Sequence, residues 1–172
     1  MKLPLLAAFV ALASACAASK PAPAVAETAL TPATQEYLLD PGRLAVLGYD
    51  VVSYFPEGGS KPVPGKPALR AELDGVVYTF ATPAHRALFV ADPERFRPTY
   101  GGWCAHAMAD GGRKVIINPQ NYLLTRGRLF LFYKTFWADA IPNWNKDPAR
   151  YELDADAWWK KIAGEAARKP LG

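Results

Sequence analysis

The sequence predicts an α+β fold, a small antiparallel sheet of hairpins with three or four helices packed on it. Two turn pairs and a set of helix starts carry that expectation. Residues 68–73 and 76–80 are strand-like runs joined by Asp74-Gly75, a pair that supplies the positive φ angles of a tight primed turn. Arg126-Gly127 does the same between residues 122–125 and 128–133. Thr82-Pro83 and Asp92-Pro93 each set a capping side chain before a proline at the first helical position, where its missing N–H costs nothing.

In chain order, residues 27–43 read as a flexible, polar lead with room for one short helix at 34–39 before Asp40-Pro41-Gly42 turns the chain. The domain is expected over residues 44–168. After the apolar and aromatic stretch from Gly48 to Phe55, residues 56–67 hold four prolines and three glycines and read as loop. The helix begun at Thr82 is expected to turn Leu88 and Phe89 inward, and the one begun at Asp92 carries Phe96. Residues 114–117 and 122–125 look like two strands separated by an Asn118-Pro119 turn, and 128–133 like the apolar centre of the sheet. A helix is expected over 134–140 until Pro142 stops it. The last helix is expected to start at Asp154 as cap and to carry Trp158, Trp159 and Ile162, with Lys160, Lys161 and Arg168 toward its end, where cations suit the helix dipole.

The bulk numbers limit what this fold can be. A chain of 172 residues, 51% hydrophobic and 12% aromatic, can bury one core and is short for two ordinary domains. Residues 1–26 read as a secretory signal: Lys2, an apolar run over 3–13 that is below the roughly 18–20 residues of a membrane span, and the small residues Ala24-Val25-Ala26 at a cleavage site. Leu12-Ala13-Ser14-Ala15 before Cys16 also resembles a bacterial lipobox, with Ala13 where leucine is usual. Cleavage there would leave Cys16 as a membrane anchor; cleavage after Ala26 would discard it. The expected location is the periplasm, or the envelope membrane by that lipid anchor. Either route leaves Cys104 as the only thiol of the folded body, and an unpaired cysteine sent to an oxidising compartment calls for burial or a ligand. The formal charge is +4, but loss of residues 1–26 leaves 18 basic against 16 acidic residues and no dense basic run, so nucleic acid is not an expected partner.

Several motifs in order resemble one family. Gly48-Tyr49-Asp50-Val51-Val52-Ser53-Tyr54-Phe55, Asp74-Gly75 with Tyr78-Thr79-Phe80, Phe89 with Asp92-Pro93 and Phe96, and Tyr100-Gly101-Gly102-Trp103-Cys104-Ala105 are similar to the YHS domain in its exported bacterial form, over about residues 44–160. Metal-binding members use three cysteines at positions that align here with Ser53, Ala81 and His85. One potential ligand survives, where a structural zinc site needs four, so the resemblance implies an empty inherited site, with Ala81 packed and the Ser53 hydroxyl in need of a partner.

The remaining chemistry centres on Cys104, His106 and Met108. If that segment is extended all three point one way; if it is helical, Cys104 and Met108 share a face and His106 falls away. Thiolate, imidazole and thioether form a soft set that suits Cu(I), with His85 as a further donor, which makes a small copper-binding module one reading. The other makes Cys104 an inert buried residue and Met108 a gap filler in a non-catalytic structural or protein-interaction domain. Catalysis would need Cys104 as nucleophile with His85 or His106 as base and Asp110 as its orienting group. Nothing in the spacing favours that, no hydrolase elbow or phosphate loop occurs, and an enzyme is not expected. Tyr49, Tyr100, Gly101, Gly102 and Trp103 are candidates to floor a small-ligand pocket, or else core aromatics with satisfied polar tips.

Overall fold

Two primed turns organise the chain. In the computed structural model, which describes residues 28–166 and Arg168, Asp74 and Gly75 take φ of 53° and 79° and fold β1 (Lys66–Leu73) against β2 (Val76–Phe80). Arg126 and Gly127, at 50° and 71°, do the same for β3 (Asn118–Thr125) and β4 (Arg128–Phe132). Both pairs are antiparallel, and they remain separate two-stranded sheets. Among the described residues five α-helices accompany them: α1 (Pro83–Ala91), α2 (Pro93–Phe96), α3 (Ala105–Ala109), α4 (Ile141–Trp144) and α5 (Pro148–Ala163). The α+β class read from the sequence is the observed one. The expected secretory signal over residues 1–26 and the lipobox-like stretch before Cys16 lie outside the described residues.

The core is one continuous cluster fed by both hairpins. All of β4 is buried, and Val76, Tyr78 and Phe80 of β2 are buried too. Phe89 of α1 stacks against Tyr78 and Phe80, while Phe130 and Phe132 hold Trp144 of α4. Such pairs each contribute about 0.5–1.5 kcal/mol beyond their area. The Thr82 hydroxyl accepts the His85 N–H at 3.1 Å, with Pro83 at the first position, whereas α2 starts at Pro93 as expected but the Asp92 side chain makes no capping bond.

Several local expectations need correction. From residue 28 on, the lead packs onto the body: Tyr37 and Leu38 are buried in the core, a short 3-10 turn covers Thr34–Glu36, and the Leu38 N–H donates to the Gly101 carbonyl at 3.0 Å. Apolar Tyr37 and Leu38 outweigh the polar residues around them. Leu88 is largely exposed, and only Phe89 of that pair is buried, since α1 has one inner face. Residues 114–117 form no strand; β3 runs straight through Pro119, which sits at a register shift between Asn118 and Tyr122, where a strand tolerates a missing donor. Residues 134–140 form no helix but a tight turn, and Pro142 opens α4 instead of stopping a helix. Finally, α5 begins at Asp147-Pro148, with the Asp147 carboxylate accepting the Arg150 N–H at 3.2 Å, not at Asp154. That is the same aspartate-proline signal read correctly at residues 92–93.

The first and last parts of the described body meet. The Tyr37 hydroxyl donates to Glu165 at 2.6 Å, and the Trp159 indole donates to the other carboxylate oxygen at 2.9 Å, just past the Gly164 cap of α5.

Candidate functional site

The segment from Tyr100 to Gly112 carries most of the residues singled out by sequence. Tyr100, Gly101 and Gly102 all have positive φ, of 54°, 58° and 91°. A side chain at Gly101 would meet the rings of Tyr37 and Trp159 below 3 Å, so the glycine is required by close approach as well as by backbone. Tyr100 is buried beside Phe130 and donates its hydroxyl to Asp156 at 2.9 Å; burial pushes that phenol well above its usual range. Trp103 donates its indole N–H to the Glu36 carbonyl at 2.7 Å. Tyr49 lies on a different segment, paired with Pro64. Tyr100 alone of this group lines a small hollow, with Thr99, Arg128, Trp159, Glu165 and Arg168, whose free volume of about 10 Å³ holds one water at most.

The structure resolves how Cys104, His106 and Met108 are arranged. Cys104 caps α3, and the Met108 N–H donates to its carbonyl at 2.9 Å, so the helical alternative applies. Cys104 is 1% exposed and Met108 fully buried, while His106 is turned toward Tyr151, with ring centroids 5.1 Å apart. Partial burial lowers the His106 pKa below its usual value. Asp110 is engaged with Arg113. Among the described residues no three His, Cys, Asp or Glu side chains come together as a metal-holding group, so Cys104, His106 and His85 are not assembled into one.

His85 is instead tied to a residue the sequence reading passed over. Its Nδ1 lies 2.6 Å from Oδ2 of Asp50, whose side chain has no exposure. The same carboxylate accepts the Ala81 N–H at 2.8 Å and the Val52 N–H at 2.9 Å. Ser53 completes the knot: its hydroxyl donates to the Asp50 carbonyl at 2.6 Å and accepts the Val63 N–H at 3.2 Å. Ser53, Ala81 and His85, the three positions aligned with cysteines, therefore all touch Asp50. A lone acid inside the apolar run from Gly48 to Phe55 was the available signal, since a buried carboxylate needs donors.

A second feature was also missed. Residues 133–138 are all exposed, and Phe136 and Trp137, at 87% and 89%, pack edge-on against each other with centroids 4.6 Å apart. The turn beneath them is stapled. Thr135 N–H donates to the Ala138 carbonyl at 2.8 Å, Ala140 N–H to the Tyr133 carbonyl at 3.1 Å, and Lys134 pairs with Asp139 at 2.8 Å. Asp139 also accepts from Asn121 and from the Ile141 N–H, both at 3.0 Å. Adjacent aromatics flanked by Lys134-Thr135 and Ala138-Asp139 were the sequence signal, hidden by the helix expected there.

Among the described residues no helix is long and apolar enough to cross a membrane. Compared with known proteins, the chain matches no protein-family model, no curated protein and no solved structure.

Proposed function

We propose that the protein is an exported, YHS-type interaction module of the cell envelope, without a catalytic role, whose single body cysteine serves the core. The observation that carries this reading is the pair Phe136 and Trp137, held almost wholly in water on a stapled turn. Left exposed, two such side chains forgo about 3–6 kcal/mol of burial, a cost that contact with a partner would recover. The family part of the reading rests on the ordered motifs between residues 48 and 105, and the envelope location on residues 1–26.

The copper reading draws less support. A soft-metal site wants its donors convergent and reachable, whereas Cys104 and Met108 are buried in the core, His106 stands apart from them, and His85 is bound to Asp50.

The test is fractionation of cells expressing the chain with Cys16→Ala, which removes any lipid anchor. The protein is expected to sediment with the envelope, and Phe136→Ser with Trp137→Ser to shift it to the soluble fraction at unchanged fold stability, within about 0.5 kcal/mol. Equal sedimentation of the doubly substituted protein would reject the reading.

A further inference from the structure

We infer that what Phe136 and Trp137 meet is a lipid surface, the tip of the 133–138 turn inserting into the membrane interface. This rests on the interaction reading above and names its partner. Val90, Ile116 and Leu153 are also exposed, but less so than Phe136 and Trp137. The aromatic tip is different in three ways.

First, it protrudes. Six consecutive residues are exposed, and the rings cap a turn of four, from Thr135 to Ala138. Protein hot spots sit in a packed patch ringed by other contacts; a bilayer interface accepts a projecting tip without a matching pocket.

Second, its chemistry suits the interface. Tyr133, the least exposed of the three at 36%, and Trp137 combine an apolar ring with a polar tip, the pattern found at headgroup depth, while Phe136 supplies a wholly apolar ring. The acid at the base of the turn, Asp139, is paired with Lys134 and also accepts from Asn121 and the Ile141 N–H. No uncompensated acid from the turn faces the phosphates of a lipid surface.

Third, the reach is sufficient. Eleven residues lie between Cys16 and Thr28, and the twelve steps from one to the other span at most about 40 Å when fully extended. A chain anchored through Cys16 would hold the body within that distance of a bilayer.

The experiment uses the exported Cys16→Ala protein and protein-free vesicles of phosphatidylethanolamine and phosphatidylglycerol. The expected result is co-sedimentation, a blue shift of tryptophan emission that disappears in Trp137→Phe, and at least a tenfold weaker partition for Phe136→Ser with Trp137→Ser. Absence of vesicle binding by a protein that still sediments with cell envelopes would overturn the lipid assignment and leave the interaction reading standing. Vesicle binding unchanged by the double substitution would overturn the assignment to this turn. Self-association in sedimentation velocity that the double substitution abolishes would make the occupant a second copy, and would also overturn it.

Discussion

His85 Nδ1 and Asp50 Oδ2 are 2.6 Å apart, and the carboxylate has no contact with solvent. With Val52 and Ala81 donating to the same group, Asp50 joins the 50–55 turn to the start of α1. Removing it strands three donors at once. Asp50→Ala is expected to cost about 3–5 kcal/mol in urea unfolding, and Asp50→Asn less, because one oxygen can still accept. A loss below about 1 kcal/mol for the alanine variant would show that the knot contributes little.

Cys104 is expected to behave as a core residue. In the folded protein its reaction with an aromatic disulfide reagent should run at least about a hundredfold slower than in denaturant, since access requires local opening. Cys104→Ser should destabilise by about 1–3 kcal/mol by burying a hydroxyl, more than Cys104→Ala. Rapid labelling under native conditions would contradict this placement.

Gly101 and Gly111 make a controlled comparison. Both have positive φ, 58° and 78°, but a side chain at Gly111 enters open space, whereas one at Gly101 meets Tyr37 and Trp159 below 3 Å. Gly111→Ala is expected to cost about 1–2 kcal/mol from backbone strain alone. Gly101→Ala should add the overpacking term, for a total of about 3 kcal/mol or more. Equal losses, measured by thermal or urea unfolding, would mean that the rings yield freely.

The turn under the aromatic tip has an acid limit. Hydrogen bonds from Lys134, the Ile141 N–H and Asn121 hold the Asp139 carboxyl at about 2 against its usual 3.8. A depressed pKa contributes stability that is complete above about 4 and lost as pH falls through about 2. The melting-temperature difference between the protein and Asp139→Asn should therefore be largest above pH 4 and shrink toward pH 2. A difference independent of pH across that window would exclude ionised Asp139 as the source.

The sequence revealed the parts of this fold that depend on local chemistry. Asp74-Gly75 and Arg126-Gly127 set both hairpins because positive φ is a property of the turn itself, and Thr82-Pro83 set the start of α1 for the same kind of reason. Failures came where long-range packing decides. Residues 134–140 have a composition compatible with a helix, but Asp139 is claimed by Asn121 from β3 and by Lys134 across the turn, which closes the chain instead. The lead looked polar until Tyr37 and Leu38 found Trp159 and Gly101, contacts more than 60 residues away in the chain. For the candidate site, the spacing of Cys104, His106 and Met108 fitted two geometries, and only the backbone settled which. Asp50 escaped because two of its three partners, Ala81 and His85, lie 31 and 35 residues away.

The meeting of Tyr37, Trp159 and Glu165 has a topological consequence. The entry and the exit of the described body are stitched together, so a short peptide could splice head to tail. Any pull on the leading strand would also be felt first at the trailing one, making that junction the clasp of the whole domain.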